Sequence, residues 1–271
     1  MLAALKTPGL TRIKARKSRN HTELLFKYLN IPVTVTKKVN YDLINITGQK
    51  NFNSFNYKVP GDISSSSFFI VLAILSKNSK LIIKNVNINK SRTGIIKILK
   101  DMNAKVYLKN IHNYNGEKIA DIYAESTLNL KSVNCPAKIN SSAIDEFLII
   151  FLVAARAKGV SSFKNLGELN KKESPRLDIA VNFLNLIGVK TKRIKNNLKI
   201  YGNPRIKLEG NFVMKNFMKD HRVFMMSAIT ALTFGGNWKI FDKDSVNTSF
   251  PNFFKILKFI GAQLNWKKDR I

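Results

Sequence analysis

The chain has 271 residues, 45% of them hydrophobic, with a formal charge of +29 and one cysteine, Cys135. That length supports one large domain or two smaller ones with real cores. The composition excludes an internal disulfide and a zinc or iron–sulfur site built on paired thiols, and no stretch approaches the ~18 apolar residues a membrane-crossing helix needs.

Residues 1–5 precede Lys6-Thr7-Pro8-Gly9 and lack the basic opening of a signal peptide. A cytoplasmic setting without a membrane partner is therefore the expectation. The lysines are scattered singly among abundant Asn, Ile and Phe. That pattern reads as compositional drift, not as the concentrated stripe of a nucleic-acid surface, so no nucleic-acid partner is expected. The charge still favours small anionic substrates such as phosphates and carboxylates.

Met1-Leu2-Ala3-Ala4-Leu5 is about one turn of an apolar helix with no cap before it, and so short a helix cannot nucleate itself. It reads as the end of an element whose beginning is missing. A helix pattern follows over residues 22–29, and strand patterns fall around residues 33–36, 44–47 and 55–59.

Three similar blocks come next. Each opens with an aspartate and a long apolar helix pattern, at Asp62, Asp145 and Asp220. Each continues with a short strand-like run, over residues 81–86, 160–165 and 238–242, and then a second amphipathic helix. The second helices end at Asn103, Gly188 and Gly261, which lie 41, 43 and 41 residues after the opening aspartates. Further strands are expected at residues 122–124 and 198–201. Asp62 with its serines, Ser91, Thr93, Asp145, Ser174, Asp220, and Ser249 ahead of Pro251 read as N-caps. Parallel helices with their N-termini on one side would attract anions.

Four motifs carry the chemistry. They are Ser18-Arg19-Asn20-His21-Thr22-Glu23; Val59-Pro60-Gly61-Asp62-Ile63-Ser64-Ser65 with Arg92-Thr93-Gly94; Ile144-Asp145-Glu146 with Glu168-Leu169-Asn170-Lys171-Lys172-Glu173-Ser174-Pro175-Arg176; and Asp220-His221-Arg222 with Thr248-Ser249-Phe250-Pro251. In this order and spacing, the chain resembles the C-terminal part of the 5-enolpyruvylshikimate-3-phosphate (EPSP) synthase family over nearly its whole length.

The resemblance implies an α/β fold of the enolpyruvyl transferase type. In it, βαβαββ repeat units build inside-out α/β barrel lobes, with substrates in the cleft between two lobes. Residues 60–271 would be the C-terminal lobe of three units, and residues 1–59 a remnant, the last unit of the N-terminal lobe. The implied reaction transfers enolpyruvyl from phosphoenolpyruvate to the 5-hydroxyl of 3-phosphoshikimate and releases phosphate, with no cofactor and no metal. Asp145 would be the base that meets the shikimate hydroxyl, and Glu173 would help in proton transfer. Ser18, Arg19 and Lys172 would join Asp145 in holding 3-phosphoshikimate, and Arg176 and Arg222 would clamp phosphoenolpyruvate. Lys172 and Arg176, four apart at a helix start, are expected to share a face, and Arg offers a bidentate fork for carboxylate or phosphate.

Plainer readings stand beside these. Asp145 as a simple cap, residues 172–176 as a solvated charged turn, and Arg222 paired only with Asp220 all fit the sequence. His21 and His221 read as structural. Asn20 and Pro175 depart from the family pattern, which has Asp at both places, and Pro175 could re-aim Arg176. The family's Ser-Ala-Gln segment, N-terminal Lys-Ser and loop Arg have no counterpart here. The chain alone is therefore expected to be inactive, as the product of a split gene, a truncated sequence or a decayed copy; a separate N-terminal chain is the partner the first case implies. Two alternatives share the fold: an enolpyruvyl transferase acting on a UDP-amino sugar, and a non-catalytic basic binding protein.

Overall fold

The structure is a computed structural model that describes residues 1–48, 51 and 53–265. The first region opens with a short 3-10 turn, Ala3–Leu5, and continues with β1 (Leu10–Arg16), α1 (His21–Tyr28), β2 (Val33–Lys37) and β3 (Tyr41–Thr47). Then come α2 (Ile63–Leu75), β4 (Lys80–Asn87), α3 (Gly94–Asp101), β5 (Lys105–Tyr114) and β6 (Glu117–Glu125). The middle block holds β7 (Asn134–Cys135), α4 (Asn140–Ala143), α5 (Phe147–Arg156), β8 (Gly159–Phe163), α6 (Arg176–Leu186), β9 (Thr191–Ile194) and β10 (Asn197–Gly202). The last holds β11 (Leu208–Met214), α7 (His221–Phe234), β12 (Gly235–Ile240) and α8 (Phe253–Phe259).

The repeat read from the sequence reappears in the strand orders. The sheets run β1-β3-β2, β4-β6-β5, β7-β8-β10-β9 and β11-β12. In the first three, the strand after the block's second helix lies at an edge and the next strand lies in the middle. β7–β8 and β11–β12 are parallel pairs that start their blocks. In the Asp62 block this pair shrinks to one parallel bridge, Gly61 to Val86.

The helix ends repeat as well. After α1, α3, α6 and α8 a residue takes a left-handed conformation: Asn30, Asn103, Gly188 and Gly261. The next amide reaches back to the helix, from Ile31 to the Phe26 carbonyl (2.8 Å), Ala104 to Leu99 (2.9 Å), Val189 to Leu184 (2.8 Å) and Ala262 to Leu257 (2.9 Å). This is the Schellman closure, and only Gly or Asn adopts its backbone at low cost.

The order of layers is inverted relative to an ordinary barrel. α2, α5 and α7 touch one another at the centre and the sheets lie outside. The sequence dictates this. Residues 147–155 of α5 are apolar on every face and at most 2% exposed, as a helix hydrophobic all round must be. Each of its large side chains contributes roughly 1.5–3 kcal/mol by burial. One large core runs from Ile63 to Leu257, and a small separate core holds Ala4, Phe26, Ile31, Ile44 and Ile46.

One expected strand and four expected caps are corrected. Residues 55–59 form no strand. Phe55 and Tyr57 instead bridge Tyr28 to Tyr114 in a ladder of rings with centroids 6.2, 6.0 and 5.8 Å apart. Ring contacts take the place of a hydrogen-bonded ladder there. Asp62 and Asp220 do cap α2 and α7, accepting from the amides of Ser65 and Arg222 (both 2.9 Å). Asp145 and Ser174 do not cap; α5 and α6 begin after Glu146 and Pro175 without a side-chain bond from those residues. Thr93 and Ser249 likewise make no cap bond. Among the described residues no helix is long and apolar enough to cross a membrane.

Candidate active site

Four chain segments meet at Asp145. Asp145 sits two residues before α5 and is 13% exposed. Arg19, from the loop between β1 and α1, pairs with its Oδ2. Lys172 Nζ lies 3.5 Å and Arg176 Nη1 3.8 Å from its Oδ1. Arg222, from the first turn of α7, donates from Nη1 to the Asp145 main-chain oxygen at 2.9 Å. Burial alone would raise the Asp145 pKa, but Arg222, Lys172 and Arg19 outweigh it and hold the group down at about 2. The site is thus an anionic centre inside a cationic ring, at the end of the large core where α2, α5 and α7 all begin.

A second set of bonds fixes the ring. Arg176 is 1% exposed. Its Nε donates to Asp220 Oδ2 at 2.8 Å, and its Nη2 reaches Asp220 Oδ1 at 3.3 Å and Glu173 Oε2 at 2.5 Å. Ser174 Oγ donates to Asp220 Oδ2 at 2.7 Å. Asp220 therefore aims Arg176. The capping role that Pro175 cannot fill passes to Asn170. Its Oδ1 accepts from the amides of Leu177 (2.9 Å) and Asp178 (3.3 Å), and its Nδ2 donates to Asp178 at 3.1 Å. Asn20, the other departure, accepts from Asn89 Nδ2 at 3.0 Å, beside the buried Glu117 that His21 also engages. An aspartate at position 20 would put a second carboxylate next to Glu117.

The structure brings Arg19, Asp145, Lys172, Glu173, Arg176 and Arg222 together. Ser18 is exposed on the Arg19 loop. The shared helical face expected for Lys172 and Arg176 is not the reason they meet. Lys172 has an extended backbone outside α6, and the two converge only at Asp145. Arg222 does not pair with the Asp220 carboxylate through its guanidinium; Asp220 takes only its backbone amide. Its Nε is buried with no hydrogen-bond partner among the described residues. Glu173 is the most exposed of the set, at 57%. His221 is half-buried, and burial lowers its pKa.

Sequence reasoning missed Glu146, which is 3% exposed and accepts from Ser64 Oγ at 2.5 Å. Burial pushes its pKa up to about 7, against the Ser64 bond and the charge of Arg222. An acidic residue amid an apolar run after Asp145 was the available signal. Among the described residues no group of three His, Cys, Asp or Glu side chains could hold a metal ion. Cys135 is buried and its thiol pushed up to about 11, which makes it inert as a nucleophile.

The family model for EPSP synthase (3-phosphoshikimate 1-carboxyvinyltransferase) matches residues 1–257. A 3-phosphoshikimate 1-carboxyvinyltransferase of Caldicellulosiruptor bescii is 38% identical over 258 residues, covering 95% of this chain and 58% of the relative. One from Ruthia magnifica is 36% identical over 270 residues, covering 98% and 59%. Among solved structures, EPSP synthase from Acinetobacter baumannii superposes with a TM-score of 0.86 at 30% identity, over 95% of this chain and 58% of that one. The enolpyruvyl transferase NikO of Streptomyces tendae, at 14% identity and a TM-score of 0.71 over 97% and 58%, shares the fold. The chain spans just under three fifths of the length of these relatives.

Proposed function

The chain belongs to the EPSP synthase family, and on that premise we propose that it carries the cationic half of a site that transfers enolpyruvyl from phosphoenolpyruvate to the 5-hydroxyl of 3-phosphoshikimate. The 5-oxygen bonds to the enol carbon, the bond from that carbon to the phosphate oxygen breaks, phosphate leaves, and the hydroxyl proton passes to a base. Residues 60–271 serve as a lobe of three repeat units, and residues 1–59 as the last unit of the neighbouring lobe. The names of the relatives support this substrate pair over a UDP-amino sugar. Further contacts to both substrates are assigned to the part of the fold that the relatives hold beyond this chain, supplied in one chain or as a separate N-terminal chain.

The observation that carries the reading is the convergence of Arg19, Lys172, Arg176 and Arg222 on Asp145 from separate segments. Two anionic substrates need such a set. Arg19, with Ser18 beside it, and Lys172 hold 3-phosphoshikimate. Arg176 and Arg222 hold phosphoenolpyruvate, and the buried, unpartnered Nε of Arg222 gains an acceptor when a carboxylate or phosphate arrives. Glu173, exposed and tethered to Arg176, is placed to shuttle a proton.

The ring also suggests how Asp145 becomes a base. At a pKa near 2 it binds protons poorly. Substrate anions draw the same cations toward themselves, which weakens the field on Asp145 and raises its proton affinity as the hydroxyl arrives.

Asp145→Asn tests the assignment in the enzyme completed with the N-terminal part of a relative. A coupled phosphate-release assay is expected to show a loss on the order of 10²-fold or more. Arg222→Lys is expected to raise the KM for phosphoenolpyruvate with little effect on melting, because a point charge does not replace the fork. Wild-type turnover in Asp145→Asn would remove its role as base.

A further inference from the structure

We propose that Glu146 is a positioning residue: anchored by Ser64 and Arg92, it fixes the peptide between Asp145 and itself, whose carbonyl aims Arg222. Only the identity of the anion that Arg222 meets rests on the proposed function; the anchoring does not.

The motif Arg92-Thr93-Gly94 supplies the anchor. Arg92, in the loop before α3, donates from Nη2 to Asp62 Oδ1 at 2.7 Å and to Ser64 Oγ at 2.6 Å. Ser64 is 2% exposed and passes its own proton donor to Glu146 Oε1 at 2.5 Å. A polar strut thus runs from the cap of α2 to the first residue before α5. The same motif braces this segment again through backbone. A Cβ on Gly94 would stand 2.5 Å from Ser142 Oγ and 2.8 Å from the Ser142 carbonyl carbon. α3 therefore starts flush against the main chain three residues ahead of Asp145, and only glycine permits that approach.

The peptide held in this way is the one Arg222 reads. Its oxygen accepts from Arg222 Nη1 at 2.9 Å. A guanidinium is planar, so fixing one of its nitrogens and its stem restricts where the remaining donors point. Glu146 is 3% exposed, and that burial pushes its pKa up to about 7. A group so costly to bury is retained where its hydrogen bonds specify a geometry.

The test is the ¹H–¹⁵N spectrum of arginine side chains in the full 271-residue chain, with the Arg222 Nε–H signal identified by its disappearance in Arg222→Lys. In the wild type that signal is expected to be dispersed and slow to exchange. In Glu146→Ala and in Ser64→Ala it should move to the position of a free arginine while far-UV circular dichroism shows a folded protein. Glu146→Gln, which keeps an acceptor for Ser64, should restore it. Titration of the enzyme completed with the N-terminal part of a relative should then give a Kd for phosphoenolpyruvate roughly tenfold weaker in Glu146→Ala, the scale of one charged hydrogen bond.

An unchanged Arg222 signal in folded Glu146→Ala and Ser64→Ala overturns the proposal, whatever phosphoenolpyruvate does. Should Glu146→Ala not fold, the milder Ser64→Ala decides. Loss of the signal in the variants, with no binding of phosphoenolpyruvate by the wild-type enzyme completed with the N-terminal part of a relative, would leave the anchor standing and refute the proposed function instead.

Discussion

In residues 1–47 a single helix, α1, packs with a sheet ordered β1-β3-β2; in residues 80–125 α3 packs with β4-β6-β5 in the same order. Both helices close on a left-handed asparagine, Asn30 and Asn103, with the same backward hydrogen bond. Yet the first region buries five apolar residues around Ala4, Phe26, Ile31, Ile44 and Ile46, while the second opens into the large core. The difference lies in what stands beneath the sheet. β4 packs on α2, whose residues 68–71 are at most 4% exposed; the corresponding place in the first region holds the 3-10 turn Ala3–Leu5. Local pattern is enough to set strand order and helix closure, but stability comes from the central helices. The two regions meet at a small polar and aromatic junction, where His21 and Asn89 bind Glu117 and the ring ladder runs from Tyr28 to Tyr114.

Core truncation separates the two regions most directly. Phe151 in α5 is fully buried and lies 5.8 Å from Phe147 and 5.0 Å from Phe163. Phe151→Ala is expected to cost about 3–5 kcal/mol and lower the main melting transition. Phe26 is also buried, at 1% exposure, but Phe26→Ala should release residues 1–47 alone. Hydrogen exchange would show fast amides before Asp62 and native protection beyond it. Loss of protection throughout the chain would mean the two cores are one cooperative unit.

The pH dependence sharpens the contrast, because acid acts on the two regions with opposite sign. The Glu146 pKa is raised to about 7 by burial. Its contribution is therefore fully present below the ordinary glutamate value and is lost as pH rises through 7, by at most about 3 kcal/mol. Glu146→Gln should flatten urea-melt stability across that window. Glu117 is shifted the other way. Burial would raise it, but bonds from His21 and Asn89 outweigh burial and lower it. Its contribution is present above the ordinary value and lost as pH falls, so the first region should detach in acid while the large core persists. Exchange rates measured at several pH values decide this; a shared acid transition would refute it.

The smallest effect concerns helix starts. α1 begins after Asn20 with no side-chain cap, whereas α6 borrows Asn170 from the 3-10 turn just ahead of it. Asn170→Ala should cost about 1 kcal/mol, and Pro175→Asp in the same chain should recover it by restoring a cap in place. Failure of that recovery would show that Asn170 acts through Asp178 instead.

Much of this organisation was legible in the sequence. The aspartate-led helices, their spacing and the closing Asn or Gly are local signals, and the structure places α2 and α3, α5 and α6, and α7 and α8 on them. Most of the cationic ring was legible too, because Arg19, Lys172, Arg176 and Arg222 sit in ordered motifs. What stayed hidden depends on partners distant in sequence. Asp145 looks like a cap until Arg19, 126 residues away, claims its side chain. Ser174 turns to Asp220 for the same reason. Residues 55–59 alternate like a strand, but their rings find Tyr28 and Tyr114 before their backbone finds a ladder. The Ser64–Glu146 bond spans 82 residues and has no local pattern.

The repeated strand order has a consequence for how copies of the protein meet one another. In each of the first three sheets one outer strand, β2, β5 or β9, leaves a row of backbone groups open to pairing. Each of those strands carries fixed positive charge: Lys37 on β2, Lys105 and Lys109 on β5, and Lys192 and Arg193 on β9. An open edge invites zippering between molecules, and lysine on the edge deters it. With +29 over the chain, two approaching edges repel before their amides can align. Salt shortens the reach of that repulsion to about 8 Å at physiological ionic strength, so the excess of lysine acts as a colloidal safeguard that dilute buffers strengthen and concentrated salt removes.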